Sequence, residues 1–187
     1  MLSLHGKEDP MNIRKALACV LAAAVLIPAA VSTAFAEGYT RPMPTKPITS
    51  GPTVLGGPTP VVCVPLTATT RDKLLEEARF VADLKPDMIE VRADYWDFIE
   101  DTNASVAMLR DINKVFGDTP ILLTVRIKAE RGYKDVSDTA KFNFYKAAVK
   151  EKLADFIDME LAYGAEKIKA FKKELVPASP SWSPITT

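Results

Sequence analysis

Three short groupings of charged residues in this chain stand at spacings that could do chemistry: Glu90 with Arg92, Arg126 with Glu130, and Asp158 with Glu160. In Met88-Ile89-Glu90-Val91-Arg92-Ala93-Asp94 the side chains of an extended chain alternate, so Glu90 and Arg92 share one face while Ile89, Val91 and Ala93 take the other. Asp158 and Glu160 share a face in the same way, and Arg126 ends an apolar run with Glu130 four residues on. Strands covered on both faces are nearly all apolar, so charges inside them need a reason. Burying them is costly unless each is paired or meets a ligand. Two readings stay open on spacing alone. The groups grip a ligand at a strand mouth, or they are ion pairs (Glu90 with Arg92, Arg126 with Glu130) on a solvated face or in a polar lumen.

Other chemistries are excluded more firmly. The one histidine, His5, precedes everything that reads as folded, which leaves no His-based metal site and no Ser/His or Cys/His catalysis in the body of the chain. No metal and no cofactor is called for. Lys+Arg and Asp+Glu number 24 each, so net charge points to no polyanionic partner and no nucleic acid. Of the two cysteines, Cys19 lies in a segment expected to be removed, leaving Cys63 a lone thiol expected to pack in a strand.

The elements that must position these residues follow from periodicity. A β-branched run Val61 to Leu66 reads as a strand, and Arg71 to Leu84 as a helix with Leu74, Leu75, Ala78 and Val81 on one face. Thr69 or Thr70 is its expected cap, with Glu76 and Glu77 on its exposed side. The unit repeats: strand Met88 to Ala93 and a helix near Ala104 to Val115, strand Ile121 to Ile127 and a helix near Asp138 to Lys152, strand Phe156 to Leu161 and a helix near Ala165 to Glu174. Four β-α units imply an α/β fold with a parallel sheet, either open and doubly wound or part of a (β/α)8 barrel. No glycine-rich phosphate loop follows any strand, so the barrel is favoured. The charged groups then fall near carboxyl ends of strands, where barrel enzymes build their sites.

Cys63-Val64-Pro65-Leu66 with its Thr-rich turn, Asp87 to Asp94, Pro120 to Arg126 with Glu130, and Asp155-Phe156-Ile157-Asp158-Met159-Glu160-Leu161 are similar, in order and spacing, to the first four strands of type I 3-dehydroquinate dehydratase. That family carries E-x-R-x-D, R-x-x-x-E and I-D-x-E on its second, third and fourth strands, and the likeness runs from about Val61 to Lys173. The resemblance implies a (β/α)8 TIM barrel that removes water from 3-dehydroquinate to give 3-dehydroshikimate. A lysine on a later strand forms an imine with the substrate ketone, and a histidine takes the α-proton. It also implies that Glu90, Arg92 and Arg126 bind the substrate and that Glu130 matches the carboxylate orienting the histidine. Asp158 and Glu160 match polar positions around the floor, where a structural role is at least as well founded. The family often has two glycines where Arg131 and Gly132 stand, so the loop is expected to differ.

The chain thus reads as a partial barrel, its first four β-α units at 61–174, after a signal peptide at 1–36 and a Pro/Gly-rich hairpin or linker at 37–60. Arg14 and Lys15, the apolar run Ala16 to Val31 and Ala34-Phe35-Ala36 make the signal, with Met11 as the true start and cleavage expected after Ala36. Pro28 and a run shorter than the ~20 residues of a span speak against a stable membrane helix, so a periplasmic or secreted protein is expected. The stretch 175–187, with Pro177, Pro180 and Pro184, makes a poor strand or helix and is expected to be an aberrant, out-of-frame tail. The family's histidine and imine-forming lysine are not found, so a truncated and inactive product is expected, poorly stable unless two copies pair as a homodimer. The alternative is an exported, non-catalytic binding module that keeps a half site.

Overall fold

The computed structural model describes residues 43–175; the expected signal peptide, its cleavage site and most of the 175–187 stretch lie outside the described residues. A hairpin comes first, β1 (Ile48–Ser50) antiparallel to β2 (Thr53–Leu55), with Ile48 opposite Leu55. It turns at Gly51, whose φ is +51° and where a Cβ would lie 2.4 Å from the Asp118 carbonyl oxygen, so no other residue fits without movement.

Four parallel strands follow in spatial order: β3 (Cys63–Leu66), β4 (Met88–Arg92), β5 (Ile121–Thr124) and β6 (Phe156–Ile157). Each is followed by a helix: α1 (Arg71–Asp83), α2 (Thr102–Phe116), α3 (Asp138–Lys150) and α4 (Ala165–Leu175). Local sequence explains their bounds. Asp101 accepts from the Ala104 N–H and Ser137 from the Ala140 N–H, so α2 and α3 begin at capped turns, and α2 stops at Gly117 with φ +57°. Val106, Leu109, Ile112 and Phe116 recur at helical spacing and bury against Ile89, Val91, Ile121 and Leu123 of the sheet. Trp96, fully buried, stacks on Phe98 and meets Phe144 of α3.

Several details differ from the sequence reading. The third and fourth parallel strands are shorter than the apolar runs, because beyond Thr124 the backbone N–H groups of Val125 and Ile127 go to side chains, Tyr145 Oη and Glu160 Oε1, instead of a ladder. Glu77 does not face solvent; it turns back and accepts from the Thr67 and Ala68 N–H groups at 2.9–3.1 Å. Thr70 occupies the cap position of α1 without a side-chain cap bond. Cys63 is an exposed thiol at the start of β3 instead of a packed one. Among the described residues no helix is long and apolar enough to cross a membrane.

Candidate functional site

Glu90 and Arg92 occupy the β4 face opposite Ile89 and Val91, which lie in the hydrophobic core. Register sets Glu90 beside Leu122 and Arg92 beside Thr124, so Thr124 and then Arg126 continue the same face across β5. The Glu90–Arg92 pairing does not form. β4 ends at Arg92 and the chain enters a 3-10 turn, Ala93–Tyr95, that folds Asp94 back beneath it. Arg92 therefore donates to Asp94 twice, Nε to Oδ1 and Nη2 to Oδ2, each at 2.9 Å. This is the fork geometry in which guanidinium and carboxylate bind best. Glu90 is left half-buried with no hydrogen bond or ion pair among the described residues.

Asp94 is fully buried and also accepts the Tyr133 N–H at 2.9 Å. Burial alone would push its carboxyl up, but the bonds from Arg92 and Tyr133 outweigh it and hold the group below the usual carboxylate range. The same hydrogen bond holds the Arg92 guanidinium above its ordinary value. The guanidinium carbon stands 5.1 Å from the Tyr95 ring centre, and Tyr95 stacks on Tyr133 at 4.4 Å. Two aromatic rings thus wall one side of the cluster.

On β5 the guanidinium of Arg126 bridges two carboxylates. Nη1 is 3.4 Å from Glu130 Oε2, as the spacing suggested, and Nη2 is 2.6 Å from Asp158 Oδ2, an ion contact without hydrogen-bond alignment. Burial raises the Asp158 carboxyl; Arg126 opposes that, and the negative charges of Glu160 and Glu90 add to it. Glu90, Arg92, Arg126, Asp158 and Glu130 thus gather at the carboxyl ends of the adjacent strands β4, β5 and β6.

Glu130 is exposed on a 3-10 turn, Lys128–Glu130. Arg131 follows in the left-handed conformation, φ +66°, and Gly132 packs so tightly that a Cβ would come within 2.1 Å of the Arg126 carbonyl oxygen. One of the two glycine positions is thus filled by an arginine under strain. Glu160 is not at the ligand-facing surface: it is buried and ion-paired with Lys141 of α3, because Met159 and Glu160 have turned inward past the end of β6. Sequence reasoning missed Lys141, whose helix position carried no signal. It also passed over Thr124, whose buried hydroxyl has no partner among the described residues and whose two-residue spacing from Arg126 was the available clue. Among the described residues no group of three or more His, Cys, Asp or Glu side chains is set to hold a metal.

A parallel α/β sheet with its charged side chains gathered at the carboxyl ends of β4, β5 and β6 is an arrangement that α/β enzymes, β/α barrels among them, use for their sites. A family model for type I 3-dehydroquinase matches residues 62–178, and the chain belongs to that family of hydro-lyases. It is 39% identical over 116 residues to the 3-dehydroquinate dehydratase of Bacillus licheniformis, covering 62% of this chain and 46% of that protein. With the same enzyme of Albidiferax ferrireducens it shares 37% identity over 119 residues, 63% of this chain and 45% of that one. The solved 3-dehydroquinate dehydratase of Geobacillus kaustophilus superposes with a TM-score of 0.67 at 27% identity, over 76% of this chain and 55% of that one. The Clostridium difficile type I enzyme, solved with covalently modified comenic acid, gives 0.66 at 26% identity over 70% and 51%. The chain spans about half the length of the curated relatives it matches.

Proposed function

We propose that this chain is the substrate-gripping part of an exported 3-dehydroquinate dehydratase, acting on 3-dehydroquinate in its conversion to 3-dehydroshikimate. The observation that carries the reading is the half-buried Glu90, without a hydrogen bond or ion pair among the described residues, on the strand face it shares with Arg92 and one strand from Arg126, each arginine already held by its own carboxylate, Arg92 by Asp94 and Arg126 by Asp158. A hydroxyl-bearing ring offers donors to Glu90 and acceptors to both guanidiniums, and the positioning cost has been met beforehand. Glu130, 3.4 Å from Arg126, corresponds by family to the carboxylate that orients a histidine. The one histidine here is His5, so residues 43–175 hold no histidine for the proton transfer, and the family's imine-forming lysine belongs to a strand later than the four described; binding without dehydration is therefore expected of these residues. The Met11 to Ala36 segment supports export, with a product beginning at Glu37.

Titrating 3-dehydroquinate into the chain by calorimetry tests this. Saturable binding is expected, reduced at least tenfold by Arg126→Ala and by Arg92→Ala, with no borohydride-trapped adduct by mass. No binding by the unaltered chain at millimolar substrate, or full affinity in Arg126→Ala, would sink the reading.

A further inference from the structure

The loop Ile127–Tyr133 starts one residue after Arg126 and bears Glu130, so whatever fixes this loop sets two members of the cluster. Its far end is tied by the Tyr133 N–H to Asp94. The near end is tied through α3. Tyr145 Oη accepts the Val125 N–H at 2.8 Å and donates to the Asp158 carbonyl at 3.0 Å. Glu160 Oε1 accepts the Ile127 N–H at 2.8 Å, while Oε2 pairs with the Lys141 ammonium. Lys141 and Tyr145 lie one helical turn apart on α3. The peptide N–H groups on either side of Arg126 are therefore both taken by groups that this one turn mounts or holds.

Lys141 and Glu160 are 1% and 3% exposed. An apolar pair of similar volume often serves stability as well as a buried ion pair does, so the pair is better explained by something that packing cannot supply. A carboxylate is a stronger acceptor for a backbone N–H than a neutral group is. We propose that Lys141 and Glu160 are positioning residues, whose buried ion pair anchors Ile127 and so presents Arg126 and Glu130 to the ligand. The ligand half of this statement rests on the proposed substrate-binding role; the anchoring half does not.

Amide hydrogen exchange of the full chain, followed by NMR, separates the two halves. Glu160→Asp keeps the charge but falls one methylene short of Ile127, and the double variant Lys141→Met with Glu160→Leu keeps volume and removes the acceptor. In both, exchange at Ile127 should rise at least tenfold while Ile89 and Leu123 in the sheet keep their protection. The pair Lys141→Gln with Glu160→Gln restores an acceptor and should return Ile127 to within about threefold of the original. Affinity for 3-dehydroquinate should fall at least fivefold in Glu160→Asp and recover in the double Gln variant. Unchanged protection of Ile127 in Glu160→Asp, or a loss spread evenly over β4 and β5, overturns the proposal, and so does an unfolded Met/Leu double beside an unaltered Glu160→Asp. An unaltered chain that binds no 3-dehydroquinate refutes the substrate reading, and the exchange result still decides the anchoring.

Discussion

Asp94→Ala is the single change from which the geometry of the cluster makes the largest and most specific demand. Asp94 has no exposed surface and ties Arg92 and Tyr133 to one carboxylate. Removing it strands a guanidinium whose side chain is only 20% exposed, a loss of about 2 kcal/mol for a bidentate charged pair that water partly replaces. The Tyr133 N–H, on a residue that is 51% exposed, rehydrates and adds about 1 kcal/mol. The expected destabilisation is about 3 kcal/mol, a sizeable share of the roughly 5–15 kcal/mol by which domains are stable. Urea unfolding of the two proteins measures it as a shift in midpoint. The pH dependence provides a second check. The folded carboxyl sits below its ordinary value, so its stabilisation is complete above the unfolded pKa of about 4 and is lost as pH falls through the lower folded value. The gap between original and variant should therefore be constant from pH 7 to about pH 5 and narrow only in stronger acid. A difference below about 1 kcal/mol at pH 7, or a gap that grows in acid, would refute the account of Asp94 as the tie between strand and loop.

Other changes test other parts of the fold. Arg131→Gly should leave stability unchanged or raise it by up to about 1 kcal/mol, because the left-handed backbone penalises a side chain; a clear loss by thermal melting would contradict that. Phe144→Ala, fully buried against Trp96, should cost roughly 3–5 kcal/mol in the same measurement. Cys63 is accessible yet its thiol is pushed up by partial burial and by Glu90, so iodoacetamide should modify it more slowly than free cysteine at pH 7.5 and catch up only in stronger base. Alkylation as fast as free cysteine would place Cys63 away from Glu90.

The succession of strands and helices was legible because each apolar run kept a clean period, as in Ile89, Val91 and Ala93 or Val106, Leu109 and Ile112. The common face of Glu90 and Arg92 was legible for the same reason. Pairing was not. Alternation puts Glu90 and Arg92 on one face but says nothing of the turn that brings Asp94 under Arg92, and nothing in the composition of α3 marked Lys141 as the partner of Glu160. Strand ends were misread because apolarity continues past Thr124, whereas pairing stops where side chains take over the N–H groups of Val125 and Ile127.

The hairpin at the amino end of the sheet has a consequence for the order of folding. Thr53 Oγ1 donates to the Asp87 carbonyl, and Ser50 Oγ reaches Asp155 Oδ1 at 2.7 Å across a sequence separation of 105 residues. The Asp155 carboxylate also takes the Ile121 N–H through its other oxygen, so one side chain joins the hairpin to β5. A chain made from its amino end at about 5–20 residues per second produces the hairpin early, then waits roughly 5–20 s before Asp155 exists to receive it. Until Asp87 is made β1 and β2 have only each other, and a lone two-stranded hairpin is marginal in water. The hairpin is thus secured in stages, first at Asp87 and last at Asp155, and its full set of ties to the sheet waits until the fourth parallel strand has begun.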